Sequence, residues 1–206
     1  LFLSGLLWGA PLDNNNYASL LVFSIFIFIN GAFILLYGMQ SYKAALFPLL
    51  FLIFTVPIPT ALMDRIIYFL QVGSTEFTNL LFMASGVPFV REGFVFHLPN
   101  VSVEVAKQCS GIRSSMAIFI VAILAGYLFL KSYWKIIFLV VCAVLIAMFK
   151  NGIRIITLSL LGNYVDPQIL ASSMHREGGT PFFIVALLLL APILFFLRRS
   201  EKNSGS

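Results

Sequence analysis

Charge is scarce in this chain: 10% of its 206 residues are Asp, Glu, Lys or Arg, while 60% are hydrophobic. A soluble domain carries about 25% charged residues, so a water-soluble fold is excluded. Cysteine is scarcer still. Cys109 and Cys142 stand far apart with no C-x-x-C pair, which excludes a disulfide framework and leaves no metal-binding pattern. No metal and no cofactor are expected. The apolar runs also lack the strict alternation of a lipid-facing barrel strand. Backbone polar groups must be satisfied inside lipid, so continuous apolar runs imply helices. The expected fold is all-α, a polytopic transmembrane helical bundle forming a single integral membrane domain over 1–200, with membrane lipids as its surroundings. A net charge of +5 gives no reason to expect nucleic acid.

What is present can be read in order. The opening 1–10 is too short to span and reads as part of a longer helix; since Leu1 is not methionine, a missing or processed start is expected. A turn-like polar patch covers 11–16. Uncharged residues over 17–38 make one span, and 44–58 is apolar until Pro57-Ile58-Pro59 interrupts it. The stretch 61–85 carries Asp64, Arg65, Gln71, Glu76 and Asn79, and either spans or lies partly at the interface. Phe94 to Leu98 and Val101 to Val105 alternate around Pro99-Asn100, which predicts a small β-hairpin-like loop outside the bilayer core. Further spans are expected over 111–130, 134–150 and 181–197, with a flexible tail over 201–206.

The loop leads into Glu104-Val105-Ala106-Lys107-Gln108-Cys109, just before an apolar run. A helix starting near Ser110 would set Cys109 at its amino end, where free N–H groups favour a thiolate. Lys107 and Arg113 push the same way. Counting spans, Cys109 opens one, the next returns, and Lys150 to Arg154 closes it on the Cys109 side. The run 155–161 is too short to cross before Gly162, Asn163, Asp166 and Pro167 stop it, so 155–173 does not cross and His175 lies on that side too. Lys131, Lys135, Arg198, Arg199 and Lys202 lie on the opposite face and Arg65, Arg91, Lys107, Arg113, Lys150, Arg154 and Arg176 on or near the Cys109 face, so the count is tied; the first set flanks spans in short loops, which favours a cytoplasmic opposite face and sets Cys109 outside.

Those three residue types suit acyl chemistry. Cys109 would attack; His175 would activate the thiol and protonate the leaving amine; Arg154, always charged, would bind the oxyanion or the substrate carbonyl. Glu177 either orients His175 or pairs with Arg176. Asn151, three residues before Arg154, shares its helix face. Each has a plainer reading: Arg154 and Lys150 as snorkelling cations, His175 and His97 as loop residues, Cys109 as a buried cap residue. Cys142, among Val140, Val141, Ala143 and Val144, reads as packing.

At these residues the chain resembles the exosortase/archaeosortase family of multi-pass membrane transpeptidases. The family's C-S-G-x-R, N-x-x-R-I and later histidine blocks are met by Cys109-Ser110-Gly111-Ile112-Arg113, Asn151-Gly152-Ile153-Arg154-Ile155 and His175-Arg176-Glu177-Gly178. The resemblance covers about 101–197. It implies a cysteine-protease-like enzyme with Cys109, Arg154 and His175 as its triad, and with Arg113, Ser110, Gly111, Asn151 and Glu177 in supporting roles. The implied partners are membrane-anchored proteins ending in a short motif, a transmembrane helix and a basic tail, with acyl transfer to an acceptor that is often lipid-linked. Two other readings stay open: a membrane thiol redox enzyme, and a non-enzymatic transporter or assembly factor whose Arg154 and His175 line a pathway. A peptidase that ends in hydrolysis is a third.

Overall fold

The computed structural model describes residues 13–107, 111–165 and 179–204. The chain is an all-α multi-pass membrane protein with one small sheet. Its helices are α1 (Asn14–Ala44), α2 (Leu46–Phe51, continued by a 3-10 turn Leu52–Thr55), α3 (Thr60–Ser85), α4 (Ile112–Phe129), α5 (Tyr133–Tyr164) and α6 (Gly179–Ser204). Among the described residues four helices are long and apolar enough to cross a membrane: α1, α4, α5 and the Pro181–Lys202 part of α6. The helical pieces on either side of Pro57-Ile58-Pro59 pass that test only together, as a bent pair. The stretch 61–85 is thus one continuous helix, although its buried face is polar.

The chain divides into two compact units, one ending at Arg65 and one beginning at Ile66. In the first, helix already begins at Asn14, where a turn was expected. The reason is a set of polar contacts: Asn15 Nδ2 donates to the Ile58 carbonyl at 2.8 Å, and Asn16 Oδ1 accepts the Thr60 N–H at 2.9 Å. Within α1 the backbone leaves the helix at Gly38, with φ 78° and ψ 166°. Twelve residues of straight helix would separate their ends by about 18 Å. Tyr42 nevertheless donates to Asn30 Oδ1 at 3.1 Å, because the chain doubles back at this glycine.

In the second unit α4, α5 and α6 pack around Ile118, Ala122, Leu139, Ala143, Ala147, Ala186 and Leu190. Lipid supplies no hydrophobic drive between helices, so close backbone approach at small residues provides the contact. Alanine fills that need here. Gly126 is the tightest point, where an added Cβ would come within 2.9 Å of Ile136.

The expected hairpin is a three-stranded antiparallel sheet, β1 (Val90–Glu92), β2 (Val95–His97) and β3 (Ser102–Glu104). The extra strand exists because Gly93 adopts φ +60° in a tight turn, setting Glu92 opposite Val95. Phe96, Leu98, Val103 and Val105 turn inward onto Phe82 of α3 and Ile155 of α5. Asn100 clasps the far end of α5, its N–H donating to Asn163 Oδ1 and its Nδ2 to the Asn163 carbonyl, both at 3.0 Å.

The span expected over 134–150 is part of a longer helix: α5 continues unbroken through Arg154 to Tyr164. At 32 residues it is about 48 Å long against a hydrocarbon layer of about 30 Å. Its first half packs in the helical bundle and its second half carries the sheet. Open sheet edges are not tolerated in lipid, so Lys150 to Arg154 lie where the lipid-embedded bundle gives way to the sheet-covered part.

Candidate active site

Two fixed points hold the chain that carries Cys109. Upstream, Val105 is fully buried; its N–H donates to the Phe94 carbonyl at 2.9 Å, and its carbonyl accepts Gln71 Nε2 of α3. Downstream, Gly111 takes φ 67° and ψ 22° before α4, a left-handed conformation that a side chain resists. Space gives a second reason for glycine. A Cβ added there would lie 3.0 Å from Asn151 Oδ1 and 3.7 Å from Lys150 Nζ. The C-S-G-x-R and N-x-x-R-I stretches therefore meet in space at Gly111 and Asn151.

Helix α4 is described from Ile112, within the span expected over 111–130, and among the described residues no side chain caps its first turn. The first helical hydrogen bond runs from the Ser115 N–H to the Gly111 carbonyl at 2.9 Å. Ser114 Oγ donates to that same carbonyl at 3.0 Å. Among the described residues nothing else meets the N–H groups of this first turn, the kind of helix end that favours an anion. Arg113 is exposed on this turn.

From α5, Lys150, Asn151 and Arg154 project within one turn. Lys150 does not snorkel: it is 2% exposed, and its ammonium donates to Ser114 Oγ. Asn151, 1% exposed, donates through Nδ2 to Ser74 Oγ of α3 at 3.0 Å. Arg154 is half-buried, four residues after Lys150 on the same helix face. Gly152 lets α5 sit directly on α3, since a Cβ there would lie 3.1 Å from Phe77 Cβ and 3.2 Å from the Thr78 nitrogen.

The structure thus brings Gly111, Asn151 and the α4 N-terminus together and sets Arg154 one turn from Lys150. Cys109, Ser110, His175 and Glu177 lie outside the described residues. Cys142 is half-buried in the middle of α5. His97 sits on the sheet, with Nδ1 2.8 Å from Ser102 Oγ and Nε2 3.6 Å from Glu92. Among the described residues no cluster of His, Cys, Asp and Glu could hold a metal.

Sequence reasoning missed Lys150, Ser114, Ser74 and Gln71. For the α3 pair a signal existed: Gln71, Ser74 and Thr78 recur at helical spacing on one face of the segment, and all are buried. For Lys150 there was none, because a cation near the end of an apolar run looks the same whether it snorkels or is enclosed.

Comparison with known proteins adds one match. A family model described as transmembrane exosortase covers residues 1–192. No curated protein and no solved structure matches the chain.

Proposed function

The chain belongs to the transmembrane exosortase family, and on that premise we propose that it is a cysteine transpeptidase acting on surface proteins held in the membrane by a C-terminal helix with a basic tail. The thiolate of Cys109 attacks the scissile carbonyl carbon, and the carbon–nitrogen bond breaks as His175 gives a proton to the leaving amine. A thioester remains on Cys109. An acceptor nucleophile, lipid-linked in this reading, then attacks the thioester, loses its proton to His175 and releases the thiol. Arg154 stabilises the oxyanion in both steps, with Arg113, Ser110 and Glu177 in supporting roles. The site faces the extracytoplasmic side of the cell membrane.

The observation that carries this reading is the packing of Gly111, two residues after Cys109, on Asn151 and Lys150. It sets the thiol's own chain segment against the helix turn that bears Arg154. The depth agrees: a substrate tethered by its own helix presents its scissile peptide near the membrane boundary, where the bundle of α4, α5 and α6 meets the sheet. The test is co-expression with a surface protein from the same genome that ends in a transmembrane helix and a basic tail, followed by immunoblot for cleavage. Cys109→Ala, Arg154→Ala and His175→Ala are each expected to abolish cleavage while inserting normally. Full processing by Cys109→Ala sinks the reading.

A further inference from the structure

One end of the α4, α5 and α6 bundle gathers five cations: Lys131 and Lys135 from the loop before α5 and its first turn, and Arg198, Arg199 and Lys202 from the last turns of α6. Lys131, Arg198, Arg199 and Lys202 are exposed, and Lys135 is half-buried. The two segments are distant in sequence, and a reciprocal clasp holds them together. Glu201 of α6 accepts the Lys131 N–H at Oε2 and the Ser132 N–H at Oε1, both at 2.9 Å, which sets a carboxylate at the positive end of α5. In return Lys135 Nζ donates to the Leu197 carbonyl at 3.4 Å and to Ser200 Oγ at 3.3 Å. The Arg198 guanidinium lies over the Phe129 ring of α4, 5.4 Å from its centroid.

Glu201 is the one acid within these two segments, against five cations. The other described acids of the second unit, Glu76, Glu92 and Glu104, belong to α3 and the sheet, which pack on the second half of α5. Asp166 and Glu177 lie outside the described residues, but the chain joins them within two residues to Val165 and Gly179, a link of about 7 Å at most. Val165 is about 50 Å along α5 from Ser132, and Gly179 about 28 Å along α6 from Arg198. Charges screen one another beyond about 8 Å, so neither acid offsets this surface. Exposed aromatic rings fix its depth. Tyr133 is 84% and Trp134 78% exposed, between Lys131 and Lys135 in the chain, and both α5 and the Pro181–Lys202 part of α6 are long and apolar enough to cross a membrane. Uncovered tyrosine and tryptophan at the end of a span belong at the headgroup level, which sets the cations beside them among lipid phosphates.

We propose that this end of the bundle is a binding surface for anionic phospholipid headgroups, with Lys131, Arg199 and Lys202 as its binding cations and the clasp of Glu201 and Lys135 as the frame that holds them together. Lysine and arginine give charge-assisted hydrogen bonds to phosphate oxygens, and each cation at the membrane surface strengthens attraction to anionic lipid about fivefold. A zwitterionic headgroup carries its own cation and gains little here. The surface shares no residue with the candidate active site, so it stands or falls apart from the cleavage chemistry.

The test reads the fluorescence of Trp134 in the full chain carrying Trp8→Phe, reconstituted in phosphatidylcholine vesicles with a rising fraction of phospholipid brominated in its acyl chains, which quenches a nearby indole. Brominated phosphatidylglycerol is expected to quench at a mole fraction at least about fivefold lower than brominated phosphatidylcholine. Lys131→Gln, Arg199→Gln and Lys202→Gln together should erase that preference, while Arg199→Lys keeps it. Equal quenching by the two lipids in the parent overturns the proposal, as does a preference that survives the triple change. If the triple variant does not insert, Lys202→Gln alone decides: a lowered preference supports the proposal and an unchanged one overturns it. Millimolar inorganic phosphate at constant ionic strength separates the two sources of phosphate. A preference that persists supports the lipid headgroup, and one that disappears assigns the surface to free phosphate and overturns the lipid assignment.

Discussion

Replacing Gly111 by alanine tests the meeting of the two sequence blocks through backbone geometry alone. The change adds one methyl group and touches no charge. Its first effect is conformational: at φ 67° a Cβ costs about 1–2 kcal/mol. Its second is spatial, because the new Cβ would lie 3.0 Å from Asn151 Oδ1 and 3.3 Å from its Cγ. Asn151 cannot easily yield, being 1% exposed and bonded to Ser74. The turn must therefore move by a few tenths of an ångström, carrying the residues just before it. A displacement of 1 Å costs on the order of 100-fold in a positioned reaction, so Gly111→Ala is expected to slow substrate cleavage roughly tenfold. The control is Gly93→Ala, which meets the same left-handed penalty at φ +60° with nothing within 4 Å of the added Cβ. It should cost about 1 kcal/mol of sheet stability and leave cleavage within about twofold of the parent. Both are read by immunoblot of the co-expressed substrate, with thermal stability measured in parallel. Wild-type cleavage by Gly111→Ala, or equal losses from the two variants, would refute the idea that contact with Asn151 positions the site.

Two further outcomes follow from packing. Gly152→Ala should destabilise by about 1–3 kcal/mol, since its Cβ meets Phe77 and the Thr78 backbone nitrogen, whereas Gly73→Ala meets only the flexible side chain of Met148 and should cost less; a thermal melt that ranks them the other way counts against the α3–α5 contact. Cys142→Ala should leave cleavage within about twofold of wild type and stability within about 0.5 kcal/mol, because Cys142 is half-buried in mid-helix; a loss comparable to that of Cys109→Ala would revive the redox reading.

The membrane class and the helical architecture were legible in the sequence, because lipid demands long uncharged runs and helices to satisfy the backbone. The break at Pro57-Ile58-Pro59 was legible for the same local reason, as was the alternation of β2 and β3. Cys109, Arg154 and His175 were read together only as a motif, through chemistry-bearing residues at recognisable spacing, and Cys109 and His175 lie outside the described residues. Tertiary structure decided the rest. Lys150-Asn151-Gly152 looks like the polar end of a span, yet α5 passes through it, because Ser114 answers the lysine, Ser74 answers the asparagine and the glycine admits α3. A sequence records that a residue is polar; it does not record which distant group satisfies it, and that pairing settles whether a helix stops or continues. The same holds for Gly111: its place before an apolar run suggests a cap, but only the folded chain sets it against Asn151 of the helix that bears Arg154.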